Sequence, residues 1–176
     1  MDLILFSGNS LAHKQWILDV EESLAPMFDK TYAQMYKHWE DRSPVIYLDE
    51  ELEKVLDIIK EYEDYAIFGK SAGALLALKG IREGIFKPQK CIFVGLPVDW
   101  GRVYGFKVDN WSYNYSVPTL FIQKSFDPVM FYEDLVKYIK EQNITNSEVL
   151  EISGNDHYYG DLNLLKEETE KFIYQK

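Results

Sequence analysis

Tyr65-Ala66-Ile67-Phe68-Gly69-Lys70-Ser71-Ala72-Gly73-Ala74-Leu75-Leu76-Ala77-Leu78 reads as two elements joined by a very short turn. Tyr65 to Phe68 is wholly apolar and stops at Gly69. A run that short fits a strand covered on both faces. From Ser71 to Ile81 the residues are small or aliphatic, which suits a helix lying close on a sheet. Between them stands Gly69-x-Ser71-x-Gly73. A serine at such a strand-to-helix turn takes a strained backbone, and its flanking glycines are needed because side chains there would collide with the neighbouring strand or helix. The turn would present the Ser71 hydroxyl at the top of the sheet, beside helix amides that favour developing negative charge. Taken alone, the same serine is also an ordinary helix N-cap.

The alternation extends in both directions. Leu3 to Phe6 is another apolar run ended near Gly8, followed by a helical stretch from Leu11 to Leu24 with Trp16, Ile17, Val20 and Leu24 on one face. Thr31 to Tyr36 reads as a strand ending in a polar loop, Lys37 to Ser43. Leu48 to Tyr62 reads as a helix with Leu52, Leu56 and Ile59 inward and Glu50, Glu51 and Glu53 near its first turn, where the dipole favours them. Beyond the serine, strands are expected at Cys91–Val94, Thr119–Ile122 and Glu148–Ile152, and helices at Phe131–Glu141 and Asp161–Tyr174. Six strands separated by helices, with no hairpin signal, predict an α/β fold: one parallel sheet with helices on both faces. No linker, repeat or separate lid interrupts residues 1–176, which read as a single domain. The segment 96–117 breaks the rhythm, carrying Trp100, Tyr104, Phe106, Trp111, Tyr113 and Tyr115. It is expected to be a long loop, either core packing or the wall of a pocket over the site.

Composition narrows the partners. With 19 Lys+Arg against 29 Asp+Glu, the formal charge is −10. Phosphate backbones and anionic lipid surfaces repel such a chain, and no basic cluster offsets this, so neither nucleic acid nor membrane is expected as a partner. No apolar stretch approaches the roughly 20 residues of a membrane span. One cysteine, Cys91, cannot form an internal disulfide and reads as a small buried hydrophobe. With no basic, apolar leader at the N-terminus, the expected location is cytoplasmic.

In open parallel sheets ligands sit beyond the carboxyl ends of the strands. The residues there are Ser7-Gly8-Asn9-Ser10, Gly69 to Gly73, Gln123-Lys124-Ser125-Phe126-Asp127, and Ser153-Gly154-Asn155-Asp156-His157. A hydroxyl, a carboxylate and an imidazole thus fall at one sheet edge. Asp127 and Asp156 compete for the acid. The first of these loops could instead hold phosphate, although it lacks the glycine density and lysine of a phosphate-binding loop. His13 and His38 show no metal-ligand spacing, so no metal and no cofactor is expected.

Over nearly its whole length the chain resembles a small α/β-hydrolase without the first two strands of larger members. Within that superfamily it is similar to the compact serine hydrolases of the retinoblastoma-binding-protein type, which also carry a Gly-Asn loop after their first strand. The resemblance implies Ser71 as nucleophile, His157 as general base and then acid, and Asp127 as the group that orients His157. It implies oxyanion donors in the backbone amides of Asn9 and Ala72. Lys70 stands where His, Asp or Glu is frequent, and Ser7 where many members have His, which bears on substrate preference. Ser10, Lys70, Trp100, Tyr104 and Trp111 are the expected substrate contacts. The expected activity is hydrolysis of a small carboxylic ester or thioester. The alternatives are acyl transfer by the same nucleophile, and a binding protein with an idle triad.

Overall fold

The computed structural model describes residues 1–175. Six strands form one sheet: β1 (Asp2–Phe6), β2 (Thr31–Ala33), β3 (Tyr65–Lys70), β4 (Lys90–Val94), β5 (Thr119–Lys124) and β6 (Ser147–Ile152). Their order is β2-β1-β3-β4-β5-β6, and every neighbouring pair is parallel. Helices α1 (His13–Leu24) and α8 (Leu162–Tyr174) cover one face. The other carries α3 (Leu48–Ile59), α4 (Ala72–Arg82), α5 (Val98–Val103), α6 (Val108–Ser112) and α7 (Tyr132–Glu141); a short helix α2 (His38–Asp41) lies in the β2–α3 connection. Alternate residues of each strand feed the two cores. Leu3, Leu5, Ala66, Phe68, Ile92 and Val94 face α1 and α8, whereas Ile4, Phe6, Ile67, Cys91, Phe93 and Phe121 face α3 and α4. Strands buried on both sides explain the unbroken apolar runs. No helix is long and apolar enough among the described residues to cross a membrane.

Some elements depart from the sequence expectation. In α3 it is Val55, not Leu56, that turns inward; Val55 is fully buried and Leu56 is 37% exposed. Glu51 is no solvated first-turn acid either. It is buried, and its carboxylate accepts from Gln34 Nε2 at 2.6 Å, the Lys37 amide at 2.7 Å and Lys54 Nζ at 3.1 Å. The polar stretch 37–43 contains α2, and the 96–117 segment is not a structureless loop. It folds into α5 and α6, seated on α4 where Gly101 leaves room for Leu75 and Val108.

The sheet reverses direction at β1, since the chain steps outward to β2 and then returns to the other side of β1 for β3. At such a point two successive connections diverge and leave a crevice beyond the strand ends. The loops after β1 and β3 meet there, brought together by Gly73. A Cβ on Gly73 would lie 2.2 Å from the Phe6 carbonyl oxygen and 2.6 Å from that of Ser7, so only glycine lets α4 pass so close to β1.

Candidate active site

Ser71 occupies the turn between β3 and α4 with φ 53° and ψ −121°, a positive-φ conformation that costs a non-glycine residue of order 1–3 kcal/mol. The strain is held by the fold: the Ser71 amide donates to the Val94 carbonyl at 2.9 Å, and a Cβ on Gly69 would stand 2.9 Å from the backbone of Ala74. The side chain makes no N-cap hydrogen bond to its own helix. Its Oγ lies instead 2.9 Å from His157 Nε2. On the far side of the ring, His157 Nδ1 is 2.7 Å from Asp127 Oδ2. Three side chains from the ends of β3, β5 and β6 thus form one continuous line.

Asp127 is fully buried. Burial on its own would raise its carboxyl; the bonds from His157, the Val129 amide (2.9 Å, to Oδ1) and the Tyr159 hydroxyl (2.7 Å, to Oδ2) outweigh that and hold it below the usual carboxylate range. It therefore stays ionised, and His157 Nδ1 carries the proton, leaving Nε2 free to accept from Ser71. Asp156, the rival acid, points elsewhere: its Oδ1 accepts from Lys124 Nζ at 3.0 Å and from the Tyr158 amide at 2.7 Å.

The Ala72 amide opens α4 and finds no acceptor among the described residues; neither does the Asn9 amide. The loop that carries Asn9 is clamped. Asn9 Nδ2 donates to the Pro44 carbonyl at 2.8 Å, Oδ1 accepts from the Ile46 amide at 2.8 Å, and the Asn9 carbonyl accepts from His38 Nε2 at 2.6 Å and Trp39 Nε1 at 3.0 Å. Tyr36 adds a bond from its hydroxyl to the Ser7 carbonyl at 2.8 Å. His38 is thus a structural donor, which its position in a polar stretch did not suggest. Gln123 tethers the other rim, donating to the Met130 carbonyl at 2.6 Å and accepting from the Leu96 amide at 3.1 Å. Ser10 is exposed, and its hydroxyl accepts from the Ala12 amide.

Lys70 does not line an open surface. Its side chain is fully buried on the α1 face, with Nζ 3.1 Å from His13 Nε2. No carboxylate lies within ion-pairing distance among the described residues. Burial pulls its ammonium down to about 7, against a weaker opposing pull from Asp127. His13 is lowered to about 4, first by burial, then by Lys70 and His157. The Cys91 thiol is pushed up to about 12 by burial and belongs to the core.

Of the three expected aromatic contacts, Trp100 packs on Tyr104 (4.8 Å between ring centroids) and on Phe106 (5.9 Å). Trp111 is buried and lines a groove of about 520 Å³ with Ile46, Tyr47, Lys79, Glu83 and Phe106. Lys79 is eight residues along α4 from Ser71, roughly 12 Å at the helical rise. Trp111 thus packs on the distal half of α4 because α6 seats there, not beside Ser71. Among the described residues no three His, Cys, Asp or Glu side chains converge as metal ligands would.

No protein-family model matches the sequence, and no curated protein is similar to it. Solved structures do match. Est1E from Butyrivibrio proteoclasticus, determined with ferulic acid bound, superposes with a TM-score of 0.73 at 20% identity, over 98% of this chain and 87% of that one. Alpha/beta hydrolase domain-containing protein 10 from mouse gives 0.71 at 14% identity, over 98% and 89%. An esterase from Pyrococcus furiosus gives 0.71 at 14%, over 98% and 81%. The fold is that of the α/β-hydrolases.

Proposed function

We propose that this protein is a serine hydrolase that cleaves small carboxylic esters or thioesters through an acyl-enzyme on Ser71. The observation that carries this is the line Ser71 Oγ, His157, Asp127, with successive separations of 2.9 and 2.7 Å, ending on a serine whose strained backbone has no other evident use. The names of the structural neighbours, esterases among them, support an ester over other acyl derivatives.

The geometry supports the following sequence of steps. His157 Nε2 takes the Ser71 proton as Oγ bonds to the substrate carbonyl carbon. The resulting oxyanion is met by the two unpartnered amides, of Asn9 and Ala72, donors that the clamped loop and the start of α4 already hold in place. The imidazolium, stabilised by Asp127, then protonates the leaving alcohol or thiol as the ester or thioester bond breaks. Water is deprotonated by His157, attacks the acyl carbon and releases the acid, returning the proton to Ser71. With α5 and α6 lying on α4 and no separate lid among the described residues, short or medium acyl chains are expected over long ones.

The test is intact mass after exposure to a fluorophosphonate, with Ser71→Ala alongside. One adduct on the wild type and none on the variant is the expected result. A folded wild-type protein that takes no adduct would refute the proposal and favour a binding role.

A further inference from the structure

Tyr159 lies two residues beyond His157 and is 2% exposed, among the largest side chains enclosed by the fold. We propose that Tyr159 is a positioning residue for the reaction at Ser71, its hydroxyl fixing the Asp127 oxygen that meets His157. This rests on the hydrolase assignment above.

The direction of each hydrogen bond is forced. Tyr159 Oη lies 3.1 Å from the Lys124 amide and 2.7 Å from Asp127 Oδ2. An amide nitrogen can only donate, so Oη accepts there and its one hydrogen goes to Asp127. Asp127 Oδ1 is already held by the Val129 amide. Tyr159 therefore supplies the second anchor, and without it Oδ2 would be held by His157 alone. The tyrosine is itself fixed: its carbonyl accepts from Trp16 Nε1 at 2.9 Å, and its ring stands edge-on to the His157 ring with centroids 6.0 Å apart. Gly95, at φ 62°, makes room for both rings; a Cβ there would lie 2.8 Å from Tyr159 Cε2 and 2.9 Å from His157 Cε1. Burial and the Asp127 carboxylate raise the phenol, so it keeps its proton throughout the range in which a histidine base works.

The consequence separates positioning from mere packing. A hydroxyl donating to Asp127 draws off negative charge that would otherwise stabilise the His157 imidazolium. Removing it while keeping the ring leaves more of that charge for His157, so the acid limb of reactivity moves to higher pH. The charged and titratable groups around the chain are Asp127, Lys124 and Asp156 beside Tyr159, with His13 and Lys70 reaching the site from α1 and β3. Tyr159→Phe leaves all of them in place.

The experiment is the second-order rate of Ser71 labelling by a fluorophosphonate from pH 5 to 9, for wild type, Tyr159→Phe and Ser71→Ala. The expected result is about tenfold slower labelling of Tyr159→Phe at neutral pH, as for loss of a hydrogen bond to a charged group, with the half-maximal pH raised by about half a unit. Site-specific 3-fluorotyrosine at position 159, a stronger donor, should move that pH the other way, and it serves should the phenylalanine variant not fold. A wild-type profile in Tyr159→Phe, or uniform slowing with the half-maximal pH unmoved, overturns the assignment. Wild-type protein that takes no label overturns the hydrolase assignment and the role of Tyr159 with it.

Discussion

Lys70 gives the sharpest prediction about stability. Its ammonium sits in a fully buried position on the α1 face with a neutral imidazole as its hydrogen-bond partner. Burial, only partly opposed by Asp127, lowers it from 10.5 to about 7. The folded state therefore binds this proton more weakly than the unfolded chain does. Between those two values the unfolded chain carries more protons, so stability rises with pH across that window and the full penalty is present below it. At 1.36 kcal/mol per pH unit, the penalty is about 5 kcal/mol. Lys70→Met keeps the length and removes the charge. At pH 6 the variant should be more stable than wild type by about 4 kcal/mol, after allowing about 1 kcal/mol for the lost bond to His13. At pH 10 most of the gain should be gone. Relief of His13, which Lys70 helps to hold down to about 4, acts in the same direction below neutrality. Guanidinium unfolding of both proteins at pH 6, 8 and 10 measures this. A stability difference independent of pH, or a methionine variant less stable at pH 6, would refute the reasoning.

Ser71→Ala and His157→Ala should each lower kcat on a short-chain ester by on the order of 10⁴ or more, with Asp127→Asn costing somewhat less, as steady-state kinetics will show. Asp127 is held below the usual carboxylate range, so its contribution to stability is whole at neutral pH and is lost as pH falls through that lowered value; Asp127→Asn should flatten the acid-unfolding curve followed by circular dichroism. Gly73→Ala places a methyl group 2.2 Å from the Phe6 carbonyl, so β1 or α4 must shift; a loss of about 3 kcal/mol, together with slowed fluorophosphonate labelling, is expected, and an unchanged Tm would contradict it. Across a series of acyl esters, kcat/KM should fall as the chain lengthens beyond medium length; a preference for long chains would contradict the expectation drawn from the short 96–117 segment.

What the sequence determined by itself was whatever is local along the chain. Apolar runs such as Leu3–Phe6 and Tyr65–Phe68 fall within strands of the fold, because burial on both faces leaves no polar alternation to misread. The glycines at 69 and 73 announced the turn because they answer to atoms a few residues away or on the adjacent strand. That the four loops share one edge followed from strands that all run parallel, whereas the order β2-β1-β3-β4-β5-β6, with its reversal at β1, came from the tertiary structure. Tertiary structure alone decided the rest, since it depends on what arrives from distant elements. Whether Leu56 or Val55 faced inward turned on a rotation of α3 of one residue. The same applies to Lys70, which looked like a substrate contact beside the serine. Strand alternation instead sends its side chain to the α1 face, where His13 meets it. Trp111 belongs to the aromatic segment, yet α6 carries it along α4 and away from Ser71. Likewise, no spacing rule ties Tyr159 to Asp127, 32 residues earlier, or His38 to the Asn9 carbonyl. Side-chain period and turn chemistry are written residue by residue, whereas the direction in which a buried polar group finds its partner is fixed only when the sheet closes around it.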